Sequence, residues 1–348
     1  MKEFIGAVLA KEKRNEVAAF GWKKSGHFRA MWKFVWILMA SFCLWGMGCQ
    51  NGDGGSGSSP EVSKYQDTQI DSNSETQRLP FRSANADLVV TESVRGRGAS
   101  IYVAWVDSRD GDRNPYFNAK SDETGLWLHL DDLRLNPGEV GNLASSVKIC
   151  SSADGRYIHV VWADAQPEYE AIHYTTSSDY GRTFLAAPLC LSPGWPFPWE
   201  GSEPVVCCSR NGSKIFVAWR HGNTDIAFRY STDYGATWST TDDPGQFFAN
   251  TDPKGYLFAG GPSIDCSDNG DYCHLGWIDF RNIGTENFYP FHRCFDSVSG
   301  SWKTTEDHCL STNRAYSMVI KCTASGQDVH AAWLFFDKGM IHDSSANY

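Results

Sequence analysis

Four things are missing from this chain of 348 residues, and each absence removes a class of protein. Positive charge is not in surplus: 31 Lys and Arg face 41 Asp and Glu, a net charge of -10. That argues against a nucleic-acid partner and leaves no basic patch for anionic lipid. No apolar run is long enough to cross a bilayer comfortably. The candidate, Val35 to Gly48, has fourteen residues, where a spanning helix needs about 20. Helical periodicity appears nowhere in the chain beyond it, and no His/Cys cluster has the spacing of zinc ligands. Neither a structural metal nor a cofactor is called for.

What is present is repetition. Trp105, Trp162, Trp219, Trp277 and Trp333 stand 57, 57, 58 and 56 residues apart, each ending a short apolar run. A period of this length built from strand-like pieces marks a propeller or solenoid, whose units must stack to bury their faces. The second repeat predicts four strands: Ser146 to Ser151, Tyr157 to Trp162, Ala171 to Thr176 and Phe184 to Leu191, with a turn at Ala153-Asp154-Gly155. Four antiparallel strands make a propeller blade. The fold class is therefore all-β, a β-propeller over 66–348. The fifth repeat stops after three strands. Gln69-Ile70-Asp71-Ser72-Asn73 resembles the fourth-strand ends of other repeats and would supply the missing one, leaving no open sheet edge. This predicts five blades; the competing arrangement is an incomplete six-bladed ring.

The amino terminus predicts export. Residues 1–49 hold a basic leader and a signal-type apolar core, with Met1 and Met31 as alternative starts, and 50–65 form a Gly/Ser-rich linker. Leu44 to Cys49 resembles the bacterial lipobox, although Gly46 stands where that motif usually has Leu. The resemblance implies lipidation at Cys49, a cell-envelope location on an uncertain membrane face, and membrane contact through the anchor only. The alternative is an ordinary cleaved signal peptide. Of the nine later cysteines, Cys150, Cys208, Cys266 and Cys322 recur at one position per repeat and read as small buried hydrophobes. Cys266 and Cys273 flank the turn Asp268-Asn269-Gly270-Asp271 symmetrically, which predicts a disulfide.

Ser177-Ser-Asp179-Tyr-Gly181-Arg-Thr183-Phe184 and Ser231-Thr-Asp233-Tyr-Gly235-Ala-Thr237-Trp238 fit one pattern, and worn copies lie at Ser121 to Trp127 and Ser297 to Trp302. The Asp can accept turn amide hydrogens, the Gly supplies positive φ, and the aromatic packs on the blade. These are Asp-boxes, and from Arg82 to Tyr348 the chain resembles the sialidase-like Asp-box propellers. The box names a fold, not an activity. Sialidases hold a carboxylate with three arginines and use a Tyr nucleophile, a Glu activator and an Asp acid/base. A guanidinium suits the planar carboxylate and a neutral phenol avoids repelling it.

Carried along this chain, the resemblance implies Arg82, Arg220 and Arg281 as carboxylate ligands, Glu203 as activator, Tyr316 as nucleophile and Asp112 as acid/base. Ser83-Ala84 replace the Ile-Pro usual after the first arginine, and repeat consensus alone accounts for several of the matches. Arg109 falls on the same predicted loop face, with the proline-stiffened aromatic loop Trp195-Pro-Phe-Pro-Trp199, which suits a sugar ring. The expected protein is a monomer that recognises carbohydrate, as a sialidase-like exo-glycosidase. The alternatives are a non-catalytic lectin and a protein-binding scaffold.

Overall fold

The structure is a computed structural model, and it describes residues 84–92, 100–121, 123–138, 143–165, 170–192, 201–222, 224–240, 247–251, 259–280, 288–312, 314–335 and 341–347. All of them lie in one compact unit, Thr68–Tyr348. The signal-type segment, Cys49, the linker and the predicted closing strand at 69–73 lie outside the described residues. Among those described, no helix is long and apolar enough to cross a membrane.

The β-branched and aromatic runs around each repeat tryptophan become strands, and these assemble into five antiparallel sheets. The first holds β1 (Ala84–Val90), β2 (Ser100–Asp107), β3 (Asn114–Ser121) and β4 (Leu133–Arg134). The second holds β5 (Ala144–Ser151), β6 (Ile158–Ala165), β7 (Glu170–Ser177) and β8 (Leu189–Cys190). The third has β9 (Ser202–Cys208), β10 (Ile215–His221) and β11 (Asp225–Ser231). The fourth has β12 (Ala259–Cys266), β13 (Tyr272–Asp279), β14 (Tyr289–Asp296), β15 (Ser301–Trp302) and β16 (His308–Cys309); the fifth has β17 (Ala315–Cys322), β18 (Asp328–Phe335) and β19 (Ile341–Asn347).

Successive sheets pack face to face through their first strands, which makes the fold a β-propeller. Each tryptophan sits on a second strand, and from the second sheet onward it fills the space between its own sheet and the one before. Trp162 packs with Ala104 and Phe117 of the first sheet, Trp219 with Val161 and Tyr174 of the second, and Trp277 with Phe216 and Phe228 of the third. These three indoles are fully buried, and truncating one to Ala would cost about 3–5 kcal/mol.

Fourth strands are shorter than the sequence predicts. Phe184 to Leu191 yields only the two-residue β8, because Pro188 offers no amide hydrogen to a ladder. Phe184 instead turns its ring against Phe117 of the preceding sheet, 4.8 Å between centroids. These Ser-x-Asp-x-Gly turns, read above as Asp-boxes, thus serve as joints between blades. Asp179 accepts from Thr183 N–H (2.9 Å) and Thr183 Oγ1 (2.6 Å), and Asp233 accepts from Thr237 N–H (2.8 Å) and Oγ1 (2.5 Å). Gly235 has φ +87°, and a Cβ there would meet the Tyr174 hydroxyl of the preceding sheet at 2.2 Å. Buried histidines latch the same joints: His159 bonds Gly212 O (3.1 Å) and His274 bonds Gly326 O (2.9 Å), each reaching the next sheet.

A staircase of main-chain hydrogen bonds links the turns at the Asp-box end. Glu92 N–H donates to Ala153 O (3.1 Å), Ala153 to Arg210 O (2.8 Å), Arg210 to Asp268 O (2.7 Å) and Asp268 to Ala324 O (2.8 Å). Among the described residues no matching bond returns from Ala324 to Glu92, and β17 and β1 do not pack as the other first strands do. Leu88 and Val90 on one side of this seam and Val319 on the other are exposed.

Cys266 and Cys273 stand directly opposite each other in the β12–β13 register. They are free thiols, not the disulfide expected from the sequence. Both lie against the Cys207 thiol of the neighbouring sheet. Burial pushes Cys207 and Cys273 up, the latter to about 12, and the Cys207 hydrogen bond and then burial raise Cys266. Thiolate, the reactive form, is thereby disfavoured.

Candidate functional site at the mouth of the propeller

The strand ends opposite the Asp-boxes form the mouth. Every first strand enters it through a β-bulge, in which three steps along the first strand match two along the second. The register shifts lie between Ala84 and Asp87, Ser145 and Lys148, Ser202 and Val205, Gly260 and Ser263, and Ala315 and Met318. The first bulged residues are therefore Asn85, Ser146, Glu203, Gly261 and Tyr316. Four of them are left-handed: Asn85 (φ 50°), Ser146 (φ 50°), Glu203 (φ 56°) and Gly261 (φ 59°). That conformation suits Gly and Asn, but costs other L-residues about 1–2 kcal/mol. Bulges re-aim side chains, and strain held at one site is a pointer to function.

Glu203 is the charged member of the set. Its Oε2 accepts the N–H of Gly261, the equivalent residue of the next sheet, at 2.8 Å, and its Oε1 lies 3.5 Å from Arg220 Nε. Arg220, next to last in β10, lies directly across from Ser202 and donates Nε–H to Ser202 Oγ at 2.9 Å. Glu170, the first residue of β7, completes the group. Burial raises its pKa, Arg220 and Arg113 oppose that shift, and Glu203 adds to it. β9 comes this close to β7 because Gly201 has no side chain: a Cβ there would sit 2.8 Å from Ile172 Cγ1 and 3.5 Å from Glu170 O. Two carboxylates and a guanidinium from two sheets thus share one mouth, one of the carboxyls inclined to hold its proton. Such a set can bind hydroxyls and move a proton.

Of the residues singled out in the sequence, Glu203 and Arg220 are brought together. Tyr316 occupies the corresponding bulge of β17, two sheets further on, 38% exposed, with its ring 5.9 Å from that of Phe288. Asp112 lies in the β2–β3 turn, where its carbonyl accepts from Asn114 Nδ2 at 3.2 Å. Arg109 is committed to structure: its guanidinium holds Asp107 at 2.6 Å and Asp132 at 2.8 Å and covers the Tyr116 ring at 4.5 Å. Burial opposes that cation, and the two carboxylates outweigh it and raise its pKa. Arg82, Arg281, Trp195 and Trp199 lie outside the described residues. Among those described, no group of three or more His, Cys, Asp or Glu could hold a metal ion.

Glu170 escaped sequence reasoning because first residues of third strands are polar in several repeats, as with Asn114 and Asp225. Only its place beside Gly201 and Arg220 separates it from them.

No family model and no curated protein matches the chain. Among solved structures it is similar to an ulvan lyase described as a new family of polysaccharide lyase, at 13% identity, covering 77% of this chain and 71% of that one, TM-score 0.47. It is also similar to the catalytic domain of an α-L-arabinofuranosidase from Coprinopsis cinerea, at 12% identity, covering 78% and 89%, TM-score 0.39. A third likeness is to TolB from Acinetobacter baumannii, at 12% identity, covering 70% and 51%, TM-score 0.35. With TM-scores below 0.5, these likenesses assign neither blade number nor activity to the chain.

Proposed function

We propose that this is an exported Asp-box propeller, anchored through Cys49, that recognises glycans at its mouth and acts there as a sialidase-like exo-glycosidase. The observation that carries the reading is Glu203: a carboxylate held in a left-handed bulge, bridging to the next sheet and paired with Arg220. In this reading Glu203 takes the phenol proton of Tyr316, whose oxygen attacks the anomeric carbon, and a carboxylic acid returns a proton to the leaving oxygen. Arg220 binds the substrate carboxylate, with Arg82 and Arg281 as its partners. Arg109 has no part in it.

Release of a fluorogenic leaving group from a sialoside, compared among wild type, Tyr316→Phe and Glu203→Gln, tests the chemistry. Loss of at least about 100-fold in both variants is the expected result. Equal rates, or no release by any of the three, would overturn the hydrolase reading. The mouth also favours a second reading, a lectin, because Glu203 is already hydrogen-bonded to a main-chain amide. Sialylated-glycan binding without turnover, lost in Glu203→Gln, would establish it, and absence of binding would leave the scaffold.

A further inference from the structure

The Asp-box end holds a feature that the mouth does not explain. An open dish of about 710 Å³ lies among three hairpin turns and one Asp-box, within the roughly 300–1,000 Å³ of small-ligand sites. Its walls come from Arg156 and Tyr157 after β5, Arg210 and Asn211 after β9, Asp268 after β12, and Tyr234 of the Asp-box after β11. Two steps of the main-chain staircase, Ala153 to Arg210 and Arg210 to Asp268, tie these turns together. The dish is thus preformed by backbone, at the far ends of strands of eight residues, about 25 Å from the mouth.

Tyr234 is the informative residue. It takes the first corner of its turn with φ 61°, followed by Gly235 at φ 87°. That is the type I′ arrangement, whose first corner prefers Asn, Asp or Gly. A tyrosine there is strained, and the residue is 40% exposed. The ring leans on Tyr157, with centroids 4.3 Å apart and planes at 33°, and Arg156 covers Tyr157 at 5.3 Å. Tyr180 holds the same strained corner one blade earlier, φ 67°. Asn211 is fixed through Oδ1, which accepts from Ser209 Oγ (2.7 Å) and Ser213 N–H (3.0 Å). Its Nδ2 remains to donate.

We propose that this dish is a second binding site, for a neutral oligosaccharide. The Tyr234 ring offers a flat apolar platform for the C–H face of a pyranose. Asn211 and the carboxylates of Asp154 and Asp268 receive its hydroxyls. Arg156 stands near Asp154, and Arg210, itself ion-paired with Glu92, stands near Asp268, so both signs are interleaved and no cluster of cations selects an ionised sugar, unlike the arginine-bearing mouth. The site does not depend on the reading of the mouth.

The test is saturation-transfer NMR and calorimetry on the full chain with cellohexaose, xylohexaose, mannohexaose and laminarihexaose. At least one hexaose should bind, and Tyr234→Asn should weaken it about fivefold or more through loss of the stacking face. Asn accepts the left-handed corner, so the melting temperature should hold or rise in that variant. Tyr234→Phe keeps the ring and should keep binding, and Glu203→Gln should leave it unchanged. Binding by none of the four hexaoses, binding undiminished in Tyr234→Asn, or binding lost in Glu203→Gln would each overturn the proposal.

Discussion

Gly235 and Gly261 are both left-handed, one at the Asp-box end and one at the mouth. A Cβ on Gly235 would strike the Tyr174 hydroxyl at 2.2 Å, whereas one on Gly261 would meet nothing within 4 Å. At the Asp-box end the unusual backbone is locked by the neighbouring blade, so packing dictates the residue. At the mouth the same conformation stands in open space. Its occupant can change from sheet to sheet, and it does: Asn85, Ser146, Glu203 and Gly261. A repeat fold gains a site by keeping one end constant and letting the other vary.

The largest effect expected concerns a residue that looks functional and is structural. Arg109→Ala would strand the carboxylates of Asp107 and Asp132, which are 2% and 1% exposed, at a cost of about 3–5 kcal/mol in urea unfolding. A loss below about 1 kcal/mol, with glycan binding impaired, would return Arg109 to the site. Next comes the glycine pair. Gly235→Ala should cost about 3 kcal/mol, from left-handed strain plus overpacking, and Gly261→Ala only about 1 kcal/mol. Equal costs would break the contrast between the ends.

Acid should attack the blade joints before the mouth. Burial lowers the His159 pKa to about 4 and that of His292 to about 3, and each ring stays neutral in the fold. Below about pH 6.5 the unfolded chain takes up protons that the native chain refuses. Stability is therefore whole above pH 6.5 and falls as pH drops toward 4. His159 alone contributes about 3 kcal/mol to that loss. Comparing unfolding free energies at pH 7 and pH 4.5 checks the sign, and His159→Gln should flatten the difference.

These joints were legible in the sequence because their signals are local. Aromatic and apolar residues alternate along each second strand, and a Ser-x-Asp-x-Gly turn carries its own hydrogen-bonding partners. The bulges were not legible, because a bulge is a mismatch between two strands and neither strand shows it alone. The ion pairing of Arg109 was not legible either: its partner Asp132 lies 23 residues on, in a segment with no pattern. The opposition of Cys266 and Cys273 was readable from a symmetric turn. The Cys207 thiol that lies against both comes from another sheet, and nothing local to the turn shows it.

The smallest effect on stability should come from the residue with the largest effect on function. Glu203→Asn exchanges a strained left-handed residue for one that tolerates the bulge, which favours the variant by up to about 1 kcal/mol. It also removes the bond to Gly261 N–H and the pairing with Arg220, costing a similar amount. The two terms oppose, so the unfolding free energy should change by no more than about 0.5 kcal/mol, while glycan binding at the mouth disappears. Ser146→Asn, which relieves the same strain without losing a charged pair, should stabilise by about 0.5–1 kcal/mol and leave the glycan bound. If Glu203→Asn instead unfolds the protein as readily as Gly235→Ala, then Glu203 is a structural bridge between sheets. The mouth would then be no freer than the Asp-box end.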